Sequence, residues 1–260
     1  MPGVPLGELV SYLNEYLRIR DVPDERNAVN GLQVENSGTV SRIVAAVDAS
    51  QATIDGLSSA TAGSLLLVHH GLLWDGNVPL TGRRFRRVAA LLEHDAALYA
   101  AHIPLDLHPE VGNNVVLAER LGIEVGGWFG DYRGSALGVW GHAGARHPTR
   151  EALVAEVNRA LGTFTPGARL ISGGPERVSR VGIITGGAGS MIGAARDAGL
   201  DTYITGEGAH HTYFDAVEWG INVIYAGHYA TETLGVQALA SHLGERFGLD
   251  WEFHDHPTGL

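Results

Sequence analysis

The sequence predicts an α/β protein built from βαβ units, and three observations predict it. Apolar runs of strand length alternate with segments of helical periodicity. Glycine supplies 36 of the 260 residues, about twice the usual share of roughly 7%, which suits many tight strand-to-helix turns. One order of elements occurs twice, over residues 42–102 and 180–228: strand, helix, strand ending in a His pair, helix, strand ending in a single His. A chain of 260 residues is long enough for one large or two small α/β domains.

Leu9, Val10, Leu13, Tyr16 and Leu17 recur at helical spacing, and Asp21–Glu25 around Pro23 reads as a turn. Arg42–Asp48 is a buried-type strand, Gln51–Ser59 a helix, and Ser64–Val68 a strand running into His69 and His70. Arg83–His94 is helical, Ala97–Ala101 is a strand ending at His102, and Asn114–Leu121 is a helix closed by Gly122. Pro148 and Glu151 mark the start of a helix over Glu151–Leu161. In the second copy the strands are Arg180–Thr185, Thr202–Thr205 and Asn222–Ala226, and the helices are Met191–Ala198 and Tyr213–Trp219. A last helix, with Glu232 on its first turn and His228 just before it, continues through Leu234, Gln237, Leu239 and Leu243.

Lys plus Arg is 18 and Asp plus Glu is 29, a net charge of −11 with His neutral. That balance argues against sequence-independent nucleic-acid binding, which needs basic side chains against phosphate. Arg83, Arg84, Arg86 and Arg87 form the single tight basic run. With no cysteine, disulfides, thiolate metal sites and Cys nucleophiles are excluded, so a metal site must use imidazole and carboxylate. Met1–Gly7 lacks the pattern of a signal peptide, and the longest apolar runs fall far below the ~20 residues that span a bilayer. The expected location is therefore the cytoplasm.

Ligands of parallel sheets sit at the carboxyl ends of strands, where the His pairs and single His residues fall. His69 and its neighbour His70, His102 with Asp106 four residues on, and His228 with Glu232 four residues on form one set. Four imidazoles and two carboxylates exceed what one tetrahedral zinc takes. They suit two divalent cations, with zinc, iron or manganese matching the donors.

The motifs carry a family resemblance from end to end. They are Asn30-Gly31-Leu32-Gln33-Val34-Glu35, Leu66-Leu67-Val68-His69-His70-Gly71-Leu72, His102-Ile103-Pro104-Leu105-Asp106 and Gly112-Asn113-Asn114 in the first half. Ile204-Thr205-Gly206-Glu207 with His210-His211, Ala226-Gly227-His228-Tyr229-Ala230-Thr231-Glu232 and the tail from Phe253 to Leu260 complete them. The chain resembles the Nif-three-like family, also called GTP cyclohydrolase 1 type 2 homologues or dinuclear metal centre proteins, in its short bacterial form. The resemblance implies two similar interlocking α/β domains, residues 1–126 with 229–260 and residues 127–228, with the metal site in the cleft between them. It implies two divalent metal ions per chain on His69, His70, Asp106, His228 and Glu232, with one or both carboxylates bridging. His102 matches a position beside the metals, and His210 and His211 match a pair facing the cavity; these three are the candidate catalytic groups. Pro104-Leu105 stands where members often carry Thr-Asn. The implied assembly is a homohexamer. The implied activity is hydrolysis by a metal-bridging hydroxide, with GTP or a related nucleotide as substrate; the alternative is a non-enzymatic metal-binding or regulatory scaffold.

Two other patterns invite different readings. Gly187, Gly189 and Gly193 follow a strand, and Glu207 lies 20 positions beyond Gly187, which approaches a dinucleotide fingerprint. The spacing departs from the strict form and reads better as a tight strand-to-helix turn, with an anion site at the helix start as a lesser reading. Trp128, Phe129, Tyr132 and Trp140 read as inter-domain or inter-subunit packing rather than a base-stacking platform.

Overall fold

The computed structural model describes residues 3–57, 63–162 and 167–260. The chain divides into two units, Met1–Leu105 with Val236–His256, and Asp106–Gly235 with Pro257–Leu260.

The first unit holds a five-stranded sheet ordered Asp250–Phe253, Arg42–Asp48, Ser64–His70, Ala96–Ala100, Gly31–Val34. The first four strands are parallel and Gly31–Val34 is antiparallel. Residues Ser64 to His69 are all buried, so this strand is covered on both faces, as parallel strands generally are. One cluster gathers Val44, Ile54, Leu66, Val68, Leu91 and Leu98. The helix Leu6–Tyr16 buries Leu6, Leu9 and Leu13. Its Tyr12 hydroxyl meets the Nε2 of His242 at 2.5 Å, on the second half of the helix His228–Phe247.

The second unit holds a six-stranded sheet ordered Val125–Tyr132, Ser135–His142, Arg180–Ile183, Thr202–Thr205, Asn222–Tyr225, Arg169–Ser172. The middle strands, Arg180–Ile183 through Asn222–Tyr225, are parallel and the flanking pairings are antiparallel. The helix Asn113–Arg120 supplies Val115, Leu117 and Ala118 to the core beneath Val181, Ile183, Ile204 and Ile224.

The six strands of the sequence repeat thus form two parallel three-stranded centres. What the repeat leaves out are the edges, parallel at Asp250–Phe253 and antiparallel elsewhere. The aromatic stretch is such an edge: Val125–Tyr132 pairs with Ser135–His142 as a hairpin. Phe129 is buried edge-on to Tyr203 at 6.2 Å, and Trp140 lies under the Arg180 guanidinium at 4.4 Å, so both pack within their own unit. The helix expected over Gln51–Ser59 ends at Asp55, and Ser58 and Ser59 lie outside the described residues. The helix expected from Met191 opens as a 3-10 turn over Gly189–Met191 before its α-helical part, Ile192–Asp197. No helix among the described residues is long and apolar enough to cross a membrane.

Candidate metal centre

In the first unit, His69 and His70 end the strand Ser64–His70, and His102 follows Ala96–Ala100 and precedes the short helix Ile103–Asp106. One donor nitrogen from each of the three rings lies within 4.8 Å of the other two. The ring centroids are 4.8 Å apart for His69 and His70 and 5.0 Å for His69 and His102. His69 is fully buried, and Trp74 stands edge-on to His102 at 5.0 Å. Pro104 falls inside the short helix that turns the chain from His102 to Asp106.

The Asn30–Gln33 motif buttresses this cluster. Asn30 Oδ1 accepts from the His102 backbone N–H at 2.7 Å, and Gln33 Oε1 accepts from the Leu72 N–H at 2.7 Å. A Cβ at Gly71 would collide with the Gln33 amide, which accounts for a glycine directly after the His pair.

Every ring in the cluster is tied at Nδ1. His69 Nδ1 meets the Ala101 carbonyl at 2.9 Å, His70 Nδ1 meets Asp48 Oδ1 at 2.9 Å, and His102 Nδ1 meets Asp24 Oδ1 at 2.9 Å. Asp24 also accepts from Asn30 Nδ2 at 2.7 Å and from the Ile103 N–H at 3.0 Å. Burial works against the charge on Asp24, yet the His102 hydrogen bond and charge, with Asn30 and the Glu25 N–H, hold its carboxyl below the ordinary value.

In the second unit, His228 opens the helix His228–Phe247 and Glu232 lies one turn on, with His228 Nε2 at 3.1 Å from Glu232 Oε1. His228 Nδ1 meets Glu207 Oε1 at 2.7 Å. Burial opposes a charge on this ring, but the hydrogen bonds and charges of Glu232 and Glu207 override it and raise its pKa to about 9. Glu232 is 3% exposed. Asp106 is also buried, and Asn113 Nδ2 donates to its Oδ1 at 2.8 Å. Asn113 Oδ1 accepts from the Gly235 N–H at 2.6 Å, and Asn114 Oδ1 accepts from the Thr185 N–H at 2.8 Å. The Asn113-Asn114 pair thus ties the surroundings of Asp106 together.

His210 and His211 lie exposed in the turn before the helix Thr212–Glu218, and His210 packs edge-on to Phe214 at 5.8 Å. The strand Thr202–Thr205 ends before Gly206, so the second His pair stands beyond its strand rather than on it. The sequence alone does not single out Asp24 or Asp48 as functional, and it offers Glu207 only within a family motif and the dinucleotide pattern, without a role at the metals. Each contacts its histidine through the fold, so no spacing in the sequence marks it.

The donors within each unit fit divalent cations. The first unit offers three imidazoles, each anchored at one nitrogen, and the second an imidazole one helical turn from a buried carboxylate, donors of the kind that hold zinc, iron and manganese.

The profile of the family described as Duf34/NIF3 (NGG1p interacting factor 3) matches residues 4–258. The chain belongs to the Duf34/NIF3 family. Among Duf34/NIF3 relatives, a Deinococcus radiodurans protein named GTP cyclohydrolase 1 type 2 homolog is 42% identical over 254 residues, covering 97% of this chain and 94% of that one. A Pseudomonas aeruginosa protein of the same name is 42% identical over 258 residues, covering 98% and 99%. The crystal structure of TTHA1606 from Thermus thermophilus is similar with a TM-score of 0.85 at 40% identity, covering 99% of this chain and 100% of that one.

Proposed function

We propose that this Duf34/NIF3 protein is a dinuclear-metal-dependent hydrolase, acting as a cytoplasmic homohexamer on GTP or a related nucleotide. The observation that carries the metal part is the three-imidazole cluster of His69, His70 and His102, with donor atoms within 4.8 Å of one another. The names of the relatives support the nucleotide. In this reading His69, His70, Asp106, His228 and Glu232 together hold two cations, with His102 beside or among them. Divalent cations held there would activate water against an electrophilic carbon or phosphorus. Asp106 and Glu232 would neutralise the cations, the anchored rings would hold them without rearrangement, and His102, His210 and His211 are the candidates for moving a proton.

The alternative is a non-enzymatic metal-binding or regulatory scaffold. Three imidazoles such as His69, His70 and His102 leave a tetrahedral cation one position for water or substrate, whereas a centre whose positions are all filled by protein leaves none. The deciding experiment screens the metal-loaded protein against nucleotides and phosphoesters, alongside elemental analysis. Turnover that depends on loaded metal supports the hydrolase. Full metal content with no turnover across the screen supports the scaffold.

A further inference from the structure

We propose that Glu207, Asp48 and Asp24 are positioning residues of the metal centre, each fixing which nitrogen one imidazole offers to a cation. The inference rests on the metal-centre reading above and adds three residues to it.

A neutral imidazole carries its proton on one nitrogen and its lone pair on the other. Opposite an acceptor-only group, the facing nitrogen holds the proton. Glu207 faces His228 Nδ1 at 2.7 Å, Asp48 faces His70 Nδ1 at 2.9 Å, and Asp24 faces His102 Nδ1 at 2.9 and 3.1 Å. The fourth ring, His69, has its Nδ1 on the neutral Ala101 carbonyl at 2.9 Å. Nδ1 is thereby the protonated nitrogen of all four rings; His228 Nε2 also meets Glu232 Oε1 at 3.1 Å, so a cation on that nitrogen takes the place of a second proton. Three of them are backed by a carboxylate, which also stabilises the positive charge a ring takes on when it ligates.

The glycine run that approaches a dinucleotide pattern belongs to the same arrangement. Gly186 adopts φ +69°, and a Cβ there would collide with the Glu232 carboxylate. A Cβ at Gly187 would stand 3.4 Å from His228 Cε1 and 3.6 Å from Glu207 Oε1. The Gly189 N–H donates to the Glu207 carbonyl at 3.0 Å, and the Glu207 N–H donates to the Gly186 carbonyl at 3.1 Å. The loop lies against the Glu207–His228–Glu232 group, and at Gly186 that approach leaves no room for a side chain. Glu207, placed 20 positions beyond Gly187 like the ribose-binding acid of a dinucleotide site, commits its carboxylate to His228.

The three carboxylates differ in setting. The Asp24 side chain is 6% exposed and the Glu207 side chain 49%. Glu207→Gln is therefore the variant least able to disturb folding, while Asp24→Asn tests the most enclosed contact.

The test loads the full-length protein with Co2+ and reads affinity by chelator competition and coordination by the visible absorption bands. Glu207→Gln, Asp48→Asn and Asp24→Asn are each expected to weaken Co2+ about 10–100-fold and to shift the bands. Glu207→Asp, which restores the charge, should recover part of the loss. Circular dichroism and sedimentation of the metal-free variants separate this from a folding defect; should Asp24→Asn fail to fold, the other two variants decide. Wild-type affinity and unchanged bands in the folded variants overturn the inference while leaving the metal centre standing. A wild-type protein that takes up no Co2+ overturns both.

Discussion

His102 Nδ1 and the Asp24 carboxylate lie 2.9 Å apart although 78 positions separate them in the chain. The same carboxylate takes the Ile103 N–H at 3.0 Å and the Asn30 side-chain amide at 2.7 Å, while Asn30 takes the His102 N–H at 2.7 Å. A surface turn and the end of an interior strand are thereby locked at the point where the strand hands over to the helix carrying Asp106.

Asn30→Ala removes both of its hydrogen bonds, leaving the His102 N–H short of a partner and Asp24 Oδ2 with one donor fewer. Groups left unsatisfied in a part-buried setting cost about 1–3 kcal/mol. Urea denaturation of the metal-free protein should show a loss of that order; a midpoint equal to wild type would mean water replaces Asn30 at no cost.

Asp106→Ala should lower the metal content of the purified protein by at least one ion per chain, because the proposed bridging carboxylate serves both cations. Elemental analysis checks it, and full metal in this variant removes Asp106 from the site.

His228 makes metal loading and stability respond to pH in opposite directions. Its pKa in the folded metal-free protein is raised to about 9 from an ordinary 6.5. The stability this adds is fully present below 6.5 and is lost as pH rises through about 9. A cation on Nε2 must displace the proton, so metal affinity should rise over that same window, with proton release falling away above it. Titration calorimetry in buffers of different ionisation enthalpy measures the protons released. No release at pH 7 would show that His228 does not ligate.

The parallel centres of both sheets were legible because their strands are nearly continuous apolar runs, such as Ser64-Leu65-Leu66-Leu67-Val68. The edges were not. Asp250–Phe253 and Arg169–Ser172 are short and mostly exposed, and the hairpin strand Val125–Tyr132 buries only Phe129. The histidines of the candidate centre were legible because each stands at or just past a strand end, and their carboxylates because they follow four residues on. Asp48 reads only as the end of a strand and Asp24 only as part of a turn, since each pairs with its histidine through the fold and leaves no mark in local spacing. The Gly186–Gly189 turn is visible as a turn, but what it lies against is not.

The protein should sediment as a homohexamer. Trp128 on the edge hairpin is 38% exposed, and Tyr213, Phe214, Val217 and Trp219 are 40–50% exposed on and just after one helix. Exposed apolar groupings of this kind are what subunit contacts cover. A single species near the chain mass of 27.6 kDa at micromolar concentration would rule the assembly out.

Glu232→Gln separates enzyme from scaffold. Glu232 is 3% exposed, lies 3.1 Å from His228 Nε2, and stands against Gly186, where a side chain would not fit. Glutamine keeps volume and shape in that enclosed setting and removes one negative charge. In a two-metal hydrolase that charge offsets the repulsion between the cations, so its loss should weaken one metal and cut turnover near neutral pH by orders of magnitude. In a scaffold the same change weakens metal binding with no turnover to lose. Turnover of whichever substrate the screen yields, measured beside metal content and oligomer size, tells the two apart. Full turnover with both metals retained would mean that Glu232 neither bridges the cations nor sets their charge. A fall in turnover at full metal content would place Glu232 in the chemistry itself, since the cations would then be held without it.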